Sequence, residues 1–259
     1  MDVASFRTVS SGGIRLVKAV ILAGGRGTRL APYTATLPKP LVPIGDIPIL
    51  EVIIRQLITS GFTGVTLALG HLGELIRAFF AAHKTLTRRI DLQFVNEEQP
   101  TGTAGSLRLI SNLPETFLVM NGDVLTTVDY RRLIHFHRAS GAWLTIASHQ
   151  KKVKIDLGVM RVQAGEVVDY LEKPEYIYPV SMGIYVYDRR ALDFIPTGRH
   201  FDFPELVLQL IAHHKKVAVF ESDALWLDIG RREDYAEAQV VFEKNQHQFR
   251  MADWPQTSP

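Results

Sequence analysis

The stretch VILAGGRGTRLAPYTATLPKPLVPIGD, residues 20–46, joins an apolar run to a glycine-rich turn and a loop that contains four prolines. The apolar run from Val20 predicts a buried strand, which Gly24 and Gly25 end. Glycines leave backbone N–H groups uncovered, and concave turns of this kind bind anions. The stretch therefore predicts a strand that opens into an anion-binding loop.

Two fixed positive charges follow the glycines. Arg29 is suited to bidentate contact with phosphate oxygens. Lys39 lies between Pro38 and Pro40, which restrict the backbone on either side of it. We interpret the stretch as a cradle for a polyphosphate, with a glycine-rich surface turn and solvated charges as the alternative.

Two other nucleotide-binding patterns fit the stretch less well. A dinucleotide fingerprint needs a third glycine where the chain has Leu30, and Asp46 lies in a proline-rich loop rather than at the end of a second strand. A Walker loop needs G-K-[ST] after the glycines, which is missing. These differences argue against a Rossmann oxidoreductase and against a GTP-binding switch.

Further along the chain, apolar strands alternate with amphipathic helices. Ile49, Ile53 and Leu57 share one face of a predicted helix that Gly61 ends. Strands separated by helices of about 10–15 residues predict crossover units. We therefore expect an α/β fold, a doubly wound, Rossmann-like, mostly parallel mixed sheet with helices on both faces, whose ligand crevice lies at the carboxyl ends of the strands. After residue 140 the pattern is rich in strands and hairpin turns, which predicts an antiparallel β elaboration.

The domain organisation follows from these patterns. Residues 1–16 have no clear period and predict a flexible N-terminal extension. Residues 17–245 are predicted to form a single catalytic domain. Residues 246–259 predict a loose C-terminal tail.

The composition of the 259-residue chain excludes several functional classes. The 29 basic and 27 acidic residues give a net charge of +2, too balanced for a nucleic-acid-binding surface. The absence of cysteine excludes disulfides and thiolate metal sites. No apolar run approaches the ~20 residues of a membrane span, and no secretory signal pattern begins the chain. We expect a cytoplasmic protein that binds neither nucleic acid nor membrane.

Six separated motifs, in order, give the sequence a resemblance to a known family. They are LAGGRGTRLAPYTATLPKPLVPIGDIPILE, PTGTAGSL, VMNGDVL, LEKP, MGIYVYD and LWLDIGRREDY. The chain resembles the sugar-1-phosphate nucleotidylyltransferases over roughly residues 17–243, and its motifs are most similar to those of mannose-1-phosphate and heptose-1-phosphate guanylyltransferases. The resemblance implies transfer of a nucleoside monophosphate from an NTP to a sugar 1-phosphate, with release of pyrophosphate.

That reaction fits the residue types present. The attacking phosphate is already an anion, so the absence of a Ser-His-Asp or Cys-His arrangement is expected. The enzyme must instead neutralise and align two anionic substrates. The resemblance assigns this catalytic role to Arg29 and Lys39. It assigns nucleotide binding to the cradle residues Leu22, Ala23, Gly24, Gly25, Gly27 and Thr28.

Magnesium is the cofactor that the resemblance implies. Asp123 follows the apolar strand FLVMNG, and Asp228 follows LWL. Both match aspartates that hold the ion in the family, and carboxylate oxygens suit Mg²⁺. Either aspartate alone would fit a turn cap equally well. The helical histidines His135, His137, His213 and His214 are expected to be solvated, because no spacing pairs them with carboxylates.

Different segments of the chain are predicted to bind the sugar phosphate and the base. Gly158, Glu172, Lys173, Ser181 and Gly183 match the sugar-phosphate-binding positions of the family, although Ser181 and Met182 replace the usual Asn-Ala pair. Base contacts are predicted for Gln99, Gly102 and Thr103 in EEQPTGTAG. This segment favours GTP, with uridylyl or thymidylyl transfer as alternatives.

Two questions about the whole protein stay open from the sequence. A non-catalytic relative that senses nucleotide sugars would keep the fold but lose charged residues of the cradle or metal site, and all of them are present here. A homodimer or higher homo-oligomer is compatible with the sequence.

Overall fold

The computed structural model describes residues 18–249 and residue 251, so the predicted N-terminal extension lies outside the described residues. Thirteen strands occur in this part of the chain: β1 Lys18–Ala23, β2 Pro43–Ile44, β3 Ile47–Pro48, β4 Gly64–Leu69, β5 Asp91–Asn96, β6 Thr116–Asn121, β7 Val124–Thr126, β8 Leu144–Lys154, β9 Val159–Gln163, β10 Glu166–Leu171, β11 Glu175–Asp188, β12 Val217–Glu221 and β13 Trp226–Asp228. The helices are α1 Ile49–Thr59, α2 Gly73–Ala82, α3 Lys84–Thr87, α4 Tyr130–Ser140, α5 Phe203–Ala212 and α6 Arg232–Asn245. Short 3₁₀ turns connect several of them.

Seven strands form the central sheet, in the order β12-β8-β11-β6-β1-β4-β5. β1 lies parallel to β4 and β6, β4 lies parallel to β5, and β12 lies parallel to β8. Only β11 in this sheet runs antiparallel to its neighbours, β6 and β8. The expected mostly parallel mixed sheet is confirmed.

The alternation of side chains along β1 explains why both faces of the sheet are covered. Ala19 and Ile21 belong to a buried cluster that contains the apolar face of α1. Val20 points to the other face, where it joins a cluster that includes Leu107 and Leu206. A strand buried on both faces is the usual arrangement in a doubly wound sheet.

An extension projects from the central sheet, and we call residues 149–181 the arm. β8 and β11 continue past the sheet as a ladder from Ser148↔Ser181 to Lys154↔Glu175. Between them, β9 and β10 form a separate antiparallel hairpin. The arm is the predicted antiparallel elaboration.

The structure corrects three of the sequence predictions. The segment after Gly105 is a 3₁₀ helix, Gly105–Leu109, shorter than the predicted helix. The chain does not become loose at residue 246, because Gln246–Phe249 form a 3₁₀ turn with a fully buried Phe249. The rest of the predicted tail, apart from residue 251, lies outside the described residues.

His137 is the third correction, because it is buried rather than solvated. Its side chain is 3% exposed, and Nδ1 lies 2.8 Å from the Thr145 hydroxyl oxygen. Burial lowers its pKa from the usual value to about 4, with the nearby Asp188 carboxylate opposing and the Arg138 cation adding to this shift.

None of the helices in the described part of the chain combines the length and the apolar character that crossing a lipid bilayer requires.

Candidate active site

A cleft of about 310 Å³ opens where β1, β5 and β6 end. This is the edge of the sheet where open α/β folds bind ligands, and the volume suits a small-molecule site. A wider groove of about 910 Å³ surrounds Thr116 and Asp188, at the opposite end of β6. We place the candidate site in the smaller cleft because its position, rather than its size, matches the fold.

Eight predicted site residues line this cleft: Leu22, Ala23, Gly24, Gly25, Lys39, Gly102, Thr103 and Asp123. Eight residues that were not predicted also line it: Pro40, Glu97, Pro100, Ser106, Asn121, Gly122, His200 and Asp202. Nucleotide-binding and metal-binding predictions from separate motifs therefore meet in one cavity.

The two glycines after β1 have different surroundings. A Cβ on Gly24 would lie 3.3 Å from the Gly70 nitrogen, and the Gly24 carbonyl accepts a hydrogen bond of 3.2 Å from the His71 amide. Gly24 therefore lets two strand ends approach. A Cβ on Gly25 would have no atom within 4 Å, so Gly25 presents bare backbone to open space.

Gly27, Thr28 and Arg29 continue the loop beyond the cleft wall. The Thr34 hydroxyl holds this loop by donating to the Gly27 carbonyl at 2.8 Å. Thr28 and Arg29 are exposed in the 3₁₀ turn Thr28–Leu30. The positive charge of Arg29 nevertheless acts to lower the pKa of Asp228. Burial and the charge of Asp123 raise that pKa more strongly.

Lys39 and Asp123 form an ion pair inside the cleft, from Nζ to Oδ2. Lys39 begins a short 3₁₀ turn, Lys39–Leu41, and is half-buried. The other oxygen of Asp123, Oδ1, is buried and has no hydrogen-bond partner in the structure. A buried, unpaired carboxylate oxygen is unfavourable unless a ligand satisfies it.

A small antiparallel sheet places Asp228 next to Asp123. β13 pairs with β7 so that Asp228 lies opposite Val124, and the Ile229 amide donates to the Asp123 carbonyl at 3.2 Å. Burial and then the charge of Asp123 raise the pKa of Asp228, while Lys39 opposes the shift. Asp228 thus lies within electrostatic reach of the Lys39–Asp123 ion pair.

These residues fit a hard divalent cation. Two neighbouring carboxylates supply the oxygen ligands that Mg²⁺ prefers, and Oδ1 of Asp123 is a buried acceptor without a partner. Burial is the main cause of the raised pKa of Asp228, and the charge of Asp123 adds to it; a bound cation would relieve the second of these.

The segment predicted to contact the base is held by a distant part of the chain. The Asp202 carboxylate accepts hydrogen bonds from the Thr103 amide at 2.9 Å and from its hydroxyl at 3.1 Å. The Phe201 carbonyl accepts from the amides of Ala104 and Gly105 at 3.1 and 2.9 Å. The segment is therefore clamped by hydrogen bonds within the chain.

Gly102 is required by this clamp. Its φ of +84° lies in the left-handed region that favours glycine, and a Cβ would lie 2.6 Å from the Phe201 carbonyl oxygen. Packing within the chain thus explains this glycine without any contact to a base.

Glu97, rather than Gln99, lines the cleft. Gln99 is exposed, whereas Glu97 is half-buried and accepts a hydrogen bond of 3.4 Å from the Thr101 amide. Burial raises the pKa of Glu97, with the Thr101 amide opposing the shift. The sequence contained a usable signal, since Glu97 directly follows β5, just as Asp123 follows β6 after a single glycine.

The predicted sugar-binding residues separate into two groups. Gly158, Glu172 and Lys173 lie on the arm. The Tyr170 hydroxyl occupies the space above Gly158, where a Cβ would lie 1.9 Å from it, and donates to Glu172 at 3.3 Å. Glu172 and Lys173 are both exposed.

Ser181 and Gly183 lie nearer the cleft, on β11. The Ser181 hydroxyl donates to the Tyr185 hydroxyl oxygen at 3.2 Å, and a Cβ on Gly183 would lie 2.7 Å from Nδ2 of Asn121, a cleft residue. Burial first, and then the charges of Asp123 and Asp228, raise the pKa of Tyr185. Tyr185 therefore lies within electrostatic reach of the carboxylate pair.

The family model described as Nucleotidyl transferase matches residues 18–245, which include every residue of this cleft. The chain belongs to this family. As a nucleotidyl transferase it is 31% identical over 245 residues to a UTP--glucose-1-phosphate uridylyltransferase from Synechocystis, a match that spans 86% of this chain and 62% of the relative. It is also 31% identical over 226 residues to a mannose-1-phosphate guanylyltransferase from Mycobacterium tuberculosis, across 85% of this chain and 62% of that protein. The chain thus spans somewhat less than two thirds of the length of these relatives.

Solved structures agree on the fold of this nucleotidyl transferase. HddC from Yersinia pseudotuberculosis, also solved in complex with GMP-PN, superposes with a TM-score of 0.66 at 26% identity, covering 88% of this chain and 100% of HddC. A UDP-glucose pyrophosphorylase solved with UDP-glucose superposes with a TM-score of 0.68 at 19% identity, covering 89% of this chain and 99% of that one. The predicted family and fold class are confirmed.

Proposed function

We propose that this protein is a sugar-1-phosphate nucleotidylyltransferase that transfers a nucleoside monophosphate from an NTP to a sugar 1-phosphate. The observation that carries the proposal is the meeting of Gly25, Lys39 and Asp123 in one cleft at the carboxyl edge of the sheet, with Asp228 within electrostatic reach of Asp123 and Lys39. This arrangement combines an anion-binding loop, a fixed cation and a site suited to a divalent metal.

The reaction joins a phosphate oxygen of the sugar 1-phosphate to the α-phosphorus of the NTP. The bond from that phosphorus to the oxygen bridging the β-phosphorus breaks, and pyrophosphate leaves with the electron pair. No proton needs to be removed from the nucleophile, so the residues act by holding the substrates in line and by balancing negative charge.

Each part of the cleft has a role in this scheme. The backbone at Gly24 and Gly25 binds the triphosphate, and Arg29 approaches it from the loop. Lys39 stabilises the charge that develops around the α-phosphorus. Asp123 and Asp228 hold Mg²⁺, which when bound supplies positive charge against the phosphate oxygens.

On the arm and β11, the proposed sugar site has two parts. Lys173 binds the sugar phosphate and Glu172 accepts hydrogen bonds from sugar hydroxyls, since both are exposed and available. Ser181 and Gly183 form the inner wall near Asn121. Gly158 lets the sugar approach the backbone beside the Tyr170 hydroxyl, which lies where a Cβ on residue 158 would be.

GTP is the proposed nucleotide, and Glu97 is the residue proposed to recognise its guanine base. Guanine presents two adjacent N–H donors, at N1 and N2, which a carboxylate can accept together. Uracil and thymine present one N–H between two carbonyl oxygens, which a carboxylate would repel. The mannose-1-phosphate guanylyltransferase and HddC similarities agree with this choice, whereas the Synechocystis similarity favours UTP as the alternative.

Pyrophosphate release tests the function directly. The protein is incubated with Mg²⁺ and each of four NTPs, crossed with mannose, glucose and heptose 1-phosphates. Release that requires both substrates supports the reaction, and the preferred NTP decides the base. Binding of a nucleotide sugar without any release would favour a non-catalytic sensor instead.

Glu97→Gln tests the base reader. Glutamine offers one acceptor and one donor group, which suits uracil better than guanine. We expect the ratio of kcat/KM for GTP to that for UTP to fall about 10- to 100-fold, the range of one bidentate base contact. Gln99→Ala is the matched control and should leave the ratio unchanged. If the control moves the ratio and Glu97→Gln does not, the base is read by Gln99.

A further inference from the structure

Two residues that line the cleft have a buried side-chain oxygen with no hydrogen-bond partner among the described residues. One is Asp123, whose Oδ1 belongs to the proposed metal site. The other is Ser106, whose Oγ has no role in the proposed reaction. Buried polar atoms are normally paired, so an unpaired hydroxyl in the wall of a ligand cleft indicates a hydrogen bond to a ligand.

Packing does not account for the Ser106 hydroxyl. The residue is 1% exposed, and alanine would fill the same space apart from the oxygen atom. A serine in a helical turn often bonds back to the carbonyl three or four residues earlier. Here the Gly102 carbonyl accepts from the Ser106 amide at 3.2 Å, and the hydroxyl has no such bond. Without a ligand, the buried oxygen therefore lowers the stability of the fold.

The backbone around Ser106 is fixed by contacts on both sides of it. It lies in the 3₁₀ turn Gly105–Leu109, where the Gly105 amide donates to the Phe201 carbonyl at 2.9 Å. The next side chain, Leu107, is fully buried in the apolar cluster on this face of the sheet. A ligand that bonds to the Ser106 hydroxyl therefore binds to a pre-organised group.

Local contacts connect Ser106 with the residue proposed to recognise the base. The Ser106 amide bonds to Gly102, and the amide of the preceding residue, Thr101, donates to the Glu97 carboxylate at 3.4 Å. Glu97, Gly102 and Ser106 all line the cleft. The residues proposed for the phosphates and the metal belong to other segments of the chain. We therefore place the Ser106 hydroxyl at the base end of the cleft, with Glu97.

Guanine needs a hydrogen-bond donor at this end of the cleft. In the proposed complex its N1–H and N2–H groups donate to the Glu97 carboxylate, and the neighbouring O6 atom is an acceptor. An ionised carboxylate has no hydrogen to offer to O6. A serine hydroxyl has one, and the hydroxyl rotates to suit its partner.

We propose that the Ser106 hydroxyl donates a hydrogen bond to O6 of guanine, so that Ser106 and Glu97 together determine the choice of nucleotide. This inference rests on the proposed function and adds the donor that the carboxylate does not supply. The bond satisfies the oxygen that the chain leaves unpaired. A nucleotide that lacks the acceptor leaves the hydroxyl buried without a partner, which is the condition for discrimination between ligands.

Direct binding of the nucleotide tests the proposal without turnover. The full chain is titrated in a calorimeter with GTP and with 6-thio-GTP, in the presence of Mg²⁺ and without a sugar phosphate. The thio compound keeps the N1 and N2 donors but replaces O6 by sulfur, which is a weaker acceptor. We expect the wild type to prefer GTP about 10-fold, the order of one hydrogen bond. Ser106→Ala should lose this preference by binding GTP more weakly.

Thermal unfolding separates a role in binding from a role in the fold. Ser106→Ala removes an unpaired buried oxygen, so the thermal midpoint of the ligand-free variant should equal or exceed that of the wild type. Ser111→Ala is the matched control, because Ser111 is an exposed serine that follows the same turn and lines the other groove. It should leave the affinities for both nucleotides unchanged.

Three outcomes would overturn the proposal. If Ser106→Ala prefers GTP as strongly as the wild type, O6 has another donor, and loss of the preference in His200→Gln would identify it as His200, which also lines the cleft. A lower midpoint for ligand-free Ser106→Ala would show that the hydroxyl is paired within the chain. If the wild type binds no GTP, the proposed base fails as well, and pyrophosphate release with the other NTPs then decides whether the proposed reaction stands.

Discussion

Among individual residues, Lys39 has a restricted geometry. It lies between two prolines, and its ammonium group is directed at Asp123, one of the two proposed metal ligands. A fixed cation needs no reorganisation when charge develops on the α-phosphate, which is the condition for large electrostatic stabilisation of a transition state. Arg29, by contrast, lies exposed on the loop and can serve binding without such pre-organisation.

Lys39→Ala should therefore lower kcat on the order of 10²- to 10³-fold, by analogy with the removal of other pre-organised donors. Single-turnover pyrophosphate release measures the chemical step. Lys152→Ala, on the exposed part of the arm, is the control. A change confined to the thermal midpoint, with kcat retained, would reduce Lys39 to a structural partner of Asp123.

Asp123→Asn tests the proposed metal site. The amide keeps the shape of the side chain but removes its charge, so we expect turnover to become undetectable at Mg²⁺ concentrations that saturate the wild type. The observable is the rate as a function of Mg²⁺ concentration. Unchanged rates with an unchanged Mg²⁺ requirement would assign the metal to other ligands. Circular dichroism of the variant checks that the fold is retained.

Gly102 shows how the structure changes the design of an experiment. From the sequence alone, replacing Gly102 by valine would be expected to raise the KM for NTP if a base lies against its backbone. The contact with Phe201 means that any side chain there displaces the clamped segment. A raised KM for that variant would not identify a base contact, and Glu97→Gln is the more specific substitution.

Among the elements, α4 gives the clearest expectation for how the stability of the fold depends on pH. Tyr130, Leu133, Ile134 and His137 are the buried face of this helix, with the spacing i, i+3, i+4 and i+7. The apolar stripe of the sequence thus contains His137, and that periodicity was the signal from which its burial could have been predicted. The histidine has to be neutral to remain in this position, because burial penalises the cation.

The sign of the resulting effect follows from proton linkage. His137 has a folded pKa of about 4, below the unfolded value of 6.5, so the unfolded chain binds the proton first. Its contribution to stability is complete above pH 6.5 and is lost as the pH falls toward 4. We expect about 2 kcal/mol to be lost between pH 7.5 and pH 5. Urea unfolding at both values measures it.

His137→Gln is the matched variant, because glutamine can still hydrogen-bond to Thr145 but does not titrate. It should be less stable than the wild type at pH 7.5 and should lose about 2 kcal/mol less between the two pH values. If the wild type and the variant lose the same free energy of unfolding between these pH values, other groups, Asp188 among them, dominate the acid sensitivity.

At the scale of the whole molecule, sequence patterns predicted most of the features that depend on local periodicity, with His137 as an exception. The apolar run before Gly24 and the helical face of α1 were predicted correctly, as was the mostly parallel sheet. Asp123 was found because it closely follows a buried strand. Glu97 follows the same rule and lines the cleft, whereas Gln99, which was predicted to contact the base, is exposed; sequence alone does not show which way a loop turns.

Contacts between distant segments had no such signal. Asp202 and Thr103 lie 99 residues apart, and no periodicity links them. The clamp on the segment predicted to contact the base therefore could not be predicted from the sequence. The same holds for the proximity of Tyr185 to the carboxylate pair, which depends on the antiparallel placement of β11 beside β6.

The path of β8 and β11 has a consequence for how such proteins diversify. The two strands leave the central sheet together at the pair Ser148↔Ser181, and their pairing resumes inside the sheet at Ile146↔Tyr185. Everything between residues 149 and 181 is one continuous segment with both ends at a single junction, while the cleft residues around Gly25, Lys39 and Gly102 lie outside it. Recombination at this junction would exchange the whole arm between relatives, together with Gly158, Glu172 and Lys173 of the proposed sugar site, and would leave the cleft residues unchanged.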